Sequence, residues 1–144
     1  MSTERNKQIA IRNFEEIWHK GNLAFIDEAT TPDGISHFVP PGMPPGNEGF
    51  KQFVRIYRAA FPDVRFVFDD TIAEGDRVAI RWTATATHTG NLFGIPPTGK
   101  RVVVTGITIN RYDADGKTVE SWADFDALGM MQQLGVIPMP GQGG

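Results

Sequence analysis

The run Arg77-Val-Ala-Ile-Arg-Trp-Thr-Ala-Thr-Ala-Thr-His88 decides the fold. Val78, Ile80, Trp82, Ala84, Ala86 and His88 fall on one face at a spacing of two, and Arg77, Arg81, Thr83, Thr85 and Thr87 fall on the other. That alternation is the pattern of a strand with one side against a core. Upstream, Val64 to Ile72 alternates in the same way, and Ala73-Glu74-Gly75-Asp76 supplies the turn between them. Downstream, Thr89 to Gly99 is a loop with apolar residues that tuck back, Arg101 to Tyr112 is a further strand, and Asp113-Ala-Asp-Gly-Lys117 is a hairpin turn into Thr118 to Phe125. Consecutive strands joined by turns make an antiparallel meander.

The first half has helical spacing instead. Ser2-Thr3-Glu4 can cap a helix carrying Ile9, Ile11, Phe14, Ile17 and Trp18 on one side, ending near Lys20-Gly21-Asn22. Leu23 to Ala29 reads as a short second helix with a stop at Thr31-Pro32, and Ile35 to Val39 as a short strand carrying His37. The proline run from Pro40 to Pro45 can only be loop, and Asn47 to Ala60 is a third helix that must finish before Phe61-Pro62-Asp63. Leu128 to Leu134 forms a closing helical turn or two, and Gly141 to Gly144 a frayed end. The expected class is α+β: N-terminal helices packed on one face of an antiparallel sheet, in one domain over residues 1–144, ordered from about 5 to 138.

Bulk composition narrows the function. At 144 residues one core is expected, and 40% hydrophobic with 22% charged residues is globular. The net charge of -3, with 14 Lys+Arg and no run of them, lacks the footprint of nucleic-acid binding. The chain has no cysteine, so disulfides, thiolate metal sites and a Cys nucleophile are excluded. Its polar start and the lack of a long apolar window leave no signal peptide or membrane span, so a cytoplasmic location is expected. The three histidines form no HxH or HExxH spacing, and glycine-rich phosphate loops and GxSxG are absent, so no metal and no cofactor is expected.

Chemistry concentrates in Glu120-Ser-Trp-Ala-Asp-Phe-Asp126. In a strand Glu120, Trp122, Asp124 and Asp126 share one face while Ser121, Ala123 and Phe125 share the other. The acidic face is either solvated or turned into a pocket, and the large Trp122 among the acids argues for the pocket. Carboxylates buried beside apolar groups gain raised pKa values and can act as acid or base near neutral pH. His88, on the core face of its strand, is either a satisfied core histidine or a pocket group. His37 precedes the proline loop, where a pocket mouth is expected; His19, at a helix end, reads as surface.

Asn13-Phe14-Glu15-Glu16-Ile17-Trp18, Ala60-Phe61-Pro62-Asp63, Thr87-His88-Thr89-Gly90, Phe93-Gly94-Ile95-Pro96-Pro97-Thr98-Gly99, and Trp122-x-x-x-Asp126-x-Leu128-Gly129 with Gln133-Leu134-Gly135 run in this order along the chain. In these pieces the chain resembles the SnoaL-like polyketide cyclases, or ester cyclases, of the nuclear transport factor 2-like superfamily. The resemblance implies a cone: a strongly bent sheet around helices, enclosing an apolar pocket, assembled into dimers or larger oligomers. It implies Asp126 as the catalytic acid/base, with His88 nearby and Asp124 as a second carboxylate. The implied chemistry is a cofactor-free intramolecular aldol closure of a small, apolar, polycyclic aromatic or ester ligand. Trp18, Phe53, Tyr57, Trp82 and Trp122 are the expected walls, and His37 and Glu120 the expected polar contacts. The same superfamily includes isomerases, epoxide hydrolases and pockets without chemistry, so a non-catalytic binding protein stands as the alternative.

Overall fold

A computed structural model of the chain describes residues 2–138, so the expected frayed end at Gly141 to Gly144 lies outside the described residues. The chain runs α1 (Thr3–Phe14), α2 (Ala24–Ala29), β1 (Thr30–Ser36), α3 (Gly46–Ala60), β2 (Arg65–Glu74), β3 (Arg77–Thr87), β4 (Arg101–Tyr112), β5 (Thr118–Phe125) and α4 (Ala127–Leu134). The Ser2 hydroxyl caps α1 by accepting the Arg5 N–H at 3.1 Å. After Phe14 the helix widens into a π-helical turn, Glu15–His19, a local rearrangement that often accompanies a functional surface. Gly21 closes it at φ 68°, and Arg58 of α3 donates to the carbonyls of Trp18 and His19 that the helix end leaves free.

The sheet order is β1-β5-β4-β3-β2. The four strands of the expected meander pair antiparallel, β2 with β3, β3 with β4 and β4 with β5. The first strand departs from expectation in two ways. It lies at Thr30–Ser36, earlier than Ile35 to Val39, and it pairs parallel with β5 at the sheet edge. An edge strand tolerates Pro32 because one side of its backbone needs no partner, which is why a proline did not exclude pairing.

The core face of β3 is the one its alternation predicts: Val78, Ile80, Trp82, Ala84 and Ala86 are all buried. Through the β3/β4 and β4/β5 register this face continues as Val104, Gly106, Thr108 and Asn110 on β4 and as Ser121, Ala123 and Phe125 on β5. Phe14, Phe61, Met130 and Leu134 pack against it.

His19 joins the helical layer to the sheet rather than standing free on the surface. Its Nε2 accepts the Phe66 backbone N–H at 2.9 Å, and its ring lies against Phe66 and Phe68. Partial burial, then the positive charge of Arg65, hold its pKa below the usual value. A folded-state pKa below the unfolded one means that the unfolded chain takes up the proton first. The stabilisation is therefore complete above about pH 6.5 and drains away as pH falls below it. The urea midpoint should fall between pH 7.5 and 5.5 in the wild type and fall less in His19→Gln. Parallel midpoints in the two proteins would remove His19 as the cause.

Candidate functional site

Between helices and sheet lies a cavity of ≈ 140 Å³, counted as space open to the centres of water-sized molecules. Its walls are aromatic: Trp18, Phe53, Tyr57, Phe66, Trp82 and Phe125 all line it. The edges lock together, with Trp18 and Phe53 edge-on at 6.1 Å and Phe66 and Trp82 edge-on at 4.9 Å. The π-helical turn carries Ile17 and Trp18, so the local widening of α1 positions two of the lining side chains.

One end of the cavity is polar and neutral. Asn110 Nδ2 donates to the Tyr112 hydroxyl at 3.1 Å, Ser121 Oγ donates to Asn110 Oδ1 at 2.7 Å, and Asn13 Nδ2 lies 3.4 Å from both the Tyr112 hydroxyl and Thr118 Oγ1. Beside them the Trp82 indole N–H donates to Thr108 Oγ1 at 3.0 Å. Burial pushes the Tyr112 phenol up to about 12, so it stays a neutral hydrogen-bonding hub. These residues escaped the sequence reading because polar side chains on a core face look like interruptions of an apolar pattern. The signal was present in the alternation Gly106, Thr108, Asn110 on a strand whose partner, β3, buries Val78, Ile80 and Trp82.

Of the expected wall residues, Trp18, Phe53, Tyr57 and Trp82 line the cavity. Of the acidic face of β5, Glu120 borders the cavity, whereas Trp122 and Asp124 do not line it. Trp122 and Asp124 pair across from Ile109 and Ile107 on the side of the sheet opposite Asn110 and Thr108, and Asp124 is exposed. The expectation that Trp122 and Asp124 point inward is corrected: the small residues Ser121 and Ala123 point in, and the indole of Trp122 lies outside. There it stacks on His37 at 5.2 Å, with the Arg77 guanidinium 5.5 Å from its ring. His37 is not among the cavity-lining residues; its Nε2 sits 2.6 Å from Glu120 Oε2 while Arg111 holds Glu120 Oε1 at 3.2 Å. The His37 hydrogen bond, then the Arg111 contacts, hold the Glu120 carboxyl below the usual carboxylate range. Glu120 is the carboxylate that borders the cavity among the described residues.

Asp126 leaves the sheet altogether. β5 ends at Phe125, and exposed Asp126 is the N-cap of α4, its Oδ1 accepting the Gly129 N–H at 2.8 Å. A Cβ at position 129 would meet Asp126 Oδ2 at 2.1 Å, so a side chain there would turn the capping carboxylate aside. The arrangement accounts for Asp126 and Gly129 occurring together without any catalytic demand. Asp126→Ala should cost about 1 kcal/mol of stability and Asp126→Asn only a few tenths, because Asn caps as well as Asp. Equal loss in both variants, read from denaturant midpoints, would contradict a capping role.

His88 is fully buried but is not among the cavity-lining residues. Its Nδ1 accepts the Thr98 N–H at 3.2 Å and lies 3.0 Å from Thr98 Oγ1, while its ring packs on Phe61. It pins the loop of residues 89–100 to the end of β3, and its Nε2 has no partner among the described residues.

The family model described as SnoaL-like polyketide cyclase matches residues 8–134. The chain belongs to this family. Solved structures agree with the assignment. TsrD from Streptomyces laurentii is 26% identical at a TM-score of 0.83, over 95% of this chain and 99% of that one. IdmH from Streptomyces antibioticus, described as a candidate polyketide cyclase, is 33% identical at 0.76, over 90% of this chain and 99% of that one. AclR from Streptomyces galilaeus, described as a candidate hydroxylase, is 29% identical at 0.82, over 96% of this chain and 85% of that one. No curated protein matches the chain. This SnoaL-like fold, of the nuclear transport factor 2-like type with a curved, unclosed sheet, therefore hosts neighbours described with different chemistries, and the site must carry the functional argument.

Proposed function

We propose that the protein binds a flat, largely apolar, oxygen-bearing molecule of the polyketide type in the cavity between its helices and sheet. The observation that carries this reading is the inward row Thr108, Asn110, Ser121, Ala123 and Phe125, neutral throughout and facing aromatic walls. Such a surface supports stacking and a few neutral hydrogen bonds. Titration with 2-acetylnaphthalene should quench tryptophan fluorescence saturably, since Trp18 and Trp82 line the cavity. The double variant Asp124→Asn/Asp126→Asn should bind within about twofold of the wild type, a difference below about 0.5 kcal/mol. No saturable quenching, or affinity lost with the two outer carboxylates, would overturn the reading.

One observation favours a second reading, ring closure in the bound state. Glu120 borders the cavity and is held ionised, the form a base requires. It would take the proton from a carbon flanked by two carbonyls; the carbanion would then attack a carbonyl of the same molecule, and the proton would return to the new alkoxide. Such a carbon is already acidic, so a carboxylate worth about 10²–10⁴-fold, with the chain held in a ring-closing pose, is enough. Under this reading Glu120→Gln loses turnover and keeps binding.

A further inference from the structure

The polar end of the cavity has hydrogen-bonding capacity left over after its internal bonds are counted. Asn110 uses one N–H on Tyr112 and one lone pair on Ser121, leaving one N–H and one lone pair. Ser121 donates its proton to Asn110 and keeps its acceptor sites. Thr108 accepts from Trp82 and keeps its own O–H to give. Asn13 directs its amide N–H groups to Tyr112 and Thr118, leaving its carbonyl. All four side chains line the cavity. The surplus alternates donors with acceptors and carries no charge. No Lys or Arg lines the cavity among the described residues, and Glu120 at its border is negative.

We infer that Asn13, Thr108, Asn110 and Ser121 form an oxygen-recognition subsite that accepts a neutral ring-borne oxygen, a ketone, enol or phenol, and turns away a carboxylate. This rests on the cavity being the ligand site. A neutral oxygen can both accept from Thr108 or Asn110 and, as an enol or phenol, donate to Asn13 or Ser121. A carboxylate entering here would be desolvated beside apolar walls with no cation to pair with, and with the Glu120 charge nearby.

Three isosteric probes test the subsite: 2-acetylnaphthalene, 2-isopropylnaphthalene and 2-naphthoate, titrated against the full chain by tryptophan quenching at pH 7.5. The wild type should bind the ketone at least about a hundredfold tighter than the carboxylate. Asn110→Leu and Ser121→Ala should each move the ketone-to-hydrocarbon affinity ratio toward the hydrocarbon, by roughly three- to tenfold. Thermal melts report whether each variant folds, and Ser121→Ala, the smaller change, carries the test if Asn110→Leu does not. Naphthoate binding within tenfold of the ketone, or an unmoved ratio in the folded variants, would overturn the inference while leaving the cavity reading intact. Failure of both the ketone and the hydrocarbon to bind would overturn both.

Discussion

Gly106→Val should lower the unfolding free energy by about 3 kcal/mol, a drop of roughly 6–12 °C in Tm for a chain of this size. At Gly106 the sheet and the cavity wall meet. The Trp82 indole lies across the glycine, so that a Cβ there would come within 2.3 Å of Cζ2 and 2.6 Å of Cη2. The same placement lets the indole N–H reach Thr108 Oγ1 at 3.0 Å. A side chain at 106 pushes the ring off its hydrogen bond and into Phe66, 4.9 Å away between centroids. The cost should therefore depend on the indole. Combined with Trp82→Phe, the penalty of Gly106→Val should shrink by 1 kcal/mol or more, about the coupling expected of residues in contact. Strict additivity of the two substitutions would show that the indole is not what the glycine accommodates.

Ala84→Trp should cost at least about a hundredfold in affinity for 2-acetylnaphthalene while leaving the protein folded. Ala84 is buried on the core face of β3, lines the cavity and lies across from Val104 of β4. An indole grown from this position enters the space a bicyclic ligand would use. The lost ligand burial amounts to about 3 kcal/mol or more, which is the hundredfold. Because the added ring goes into open space rather than a packed core, the stability change should stay within about 1–3 kcal/mol. Unchanged affinity in a folded Ala84→Trp protein would mean that the ligand sits elsewhere.

The sequence made the sheet legible because alternation on β3 and two clear turns define consecutive antiparallel neighbours. The edge strand was harder. It pairs with β5, 85 to 88 positions away, and no local pattern reports so distant a parallel contact. For the site, alternation on β5 was read correctly and its orientation was not. Trp122 looks like core by size, yet it finds its burial outside, between His37 and Arg77, two residues that no spacing rule connects to it. Ser121 and Ala123 look like surface by size, yet they face the cavity because their register partners on β4 are Asn110 and Thr108. Asp126 illustrates a different ambiguity. A carboxylate followed three positions later by glycine is equally a cap and an active-site group, and only the end of β5 at Phe125 separates the two.

The placement of the ligand is decided most directly by diffraction from crystals soaked in 6-bromo-2-acetylnaphthalene, with the bromine located by its anomalous signal. A bromine peak inside the cavity, with the ketone oxygen in hydrogen-bonding reach of Asn110, Ser121 or Thr108, is the predicted result. A peak in the groove on the opposite side of the sheet, against Ile107, Trp122 and Asp124, would contradict the account and return the chemistry to the outer carboxylates.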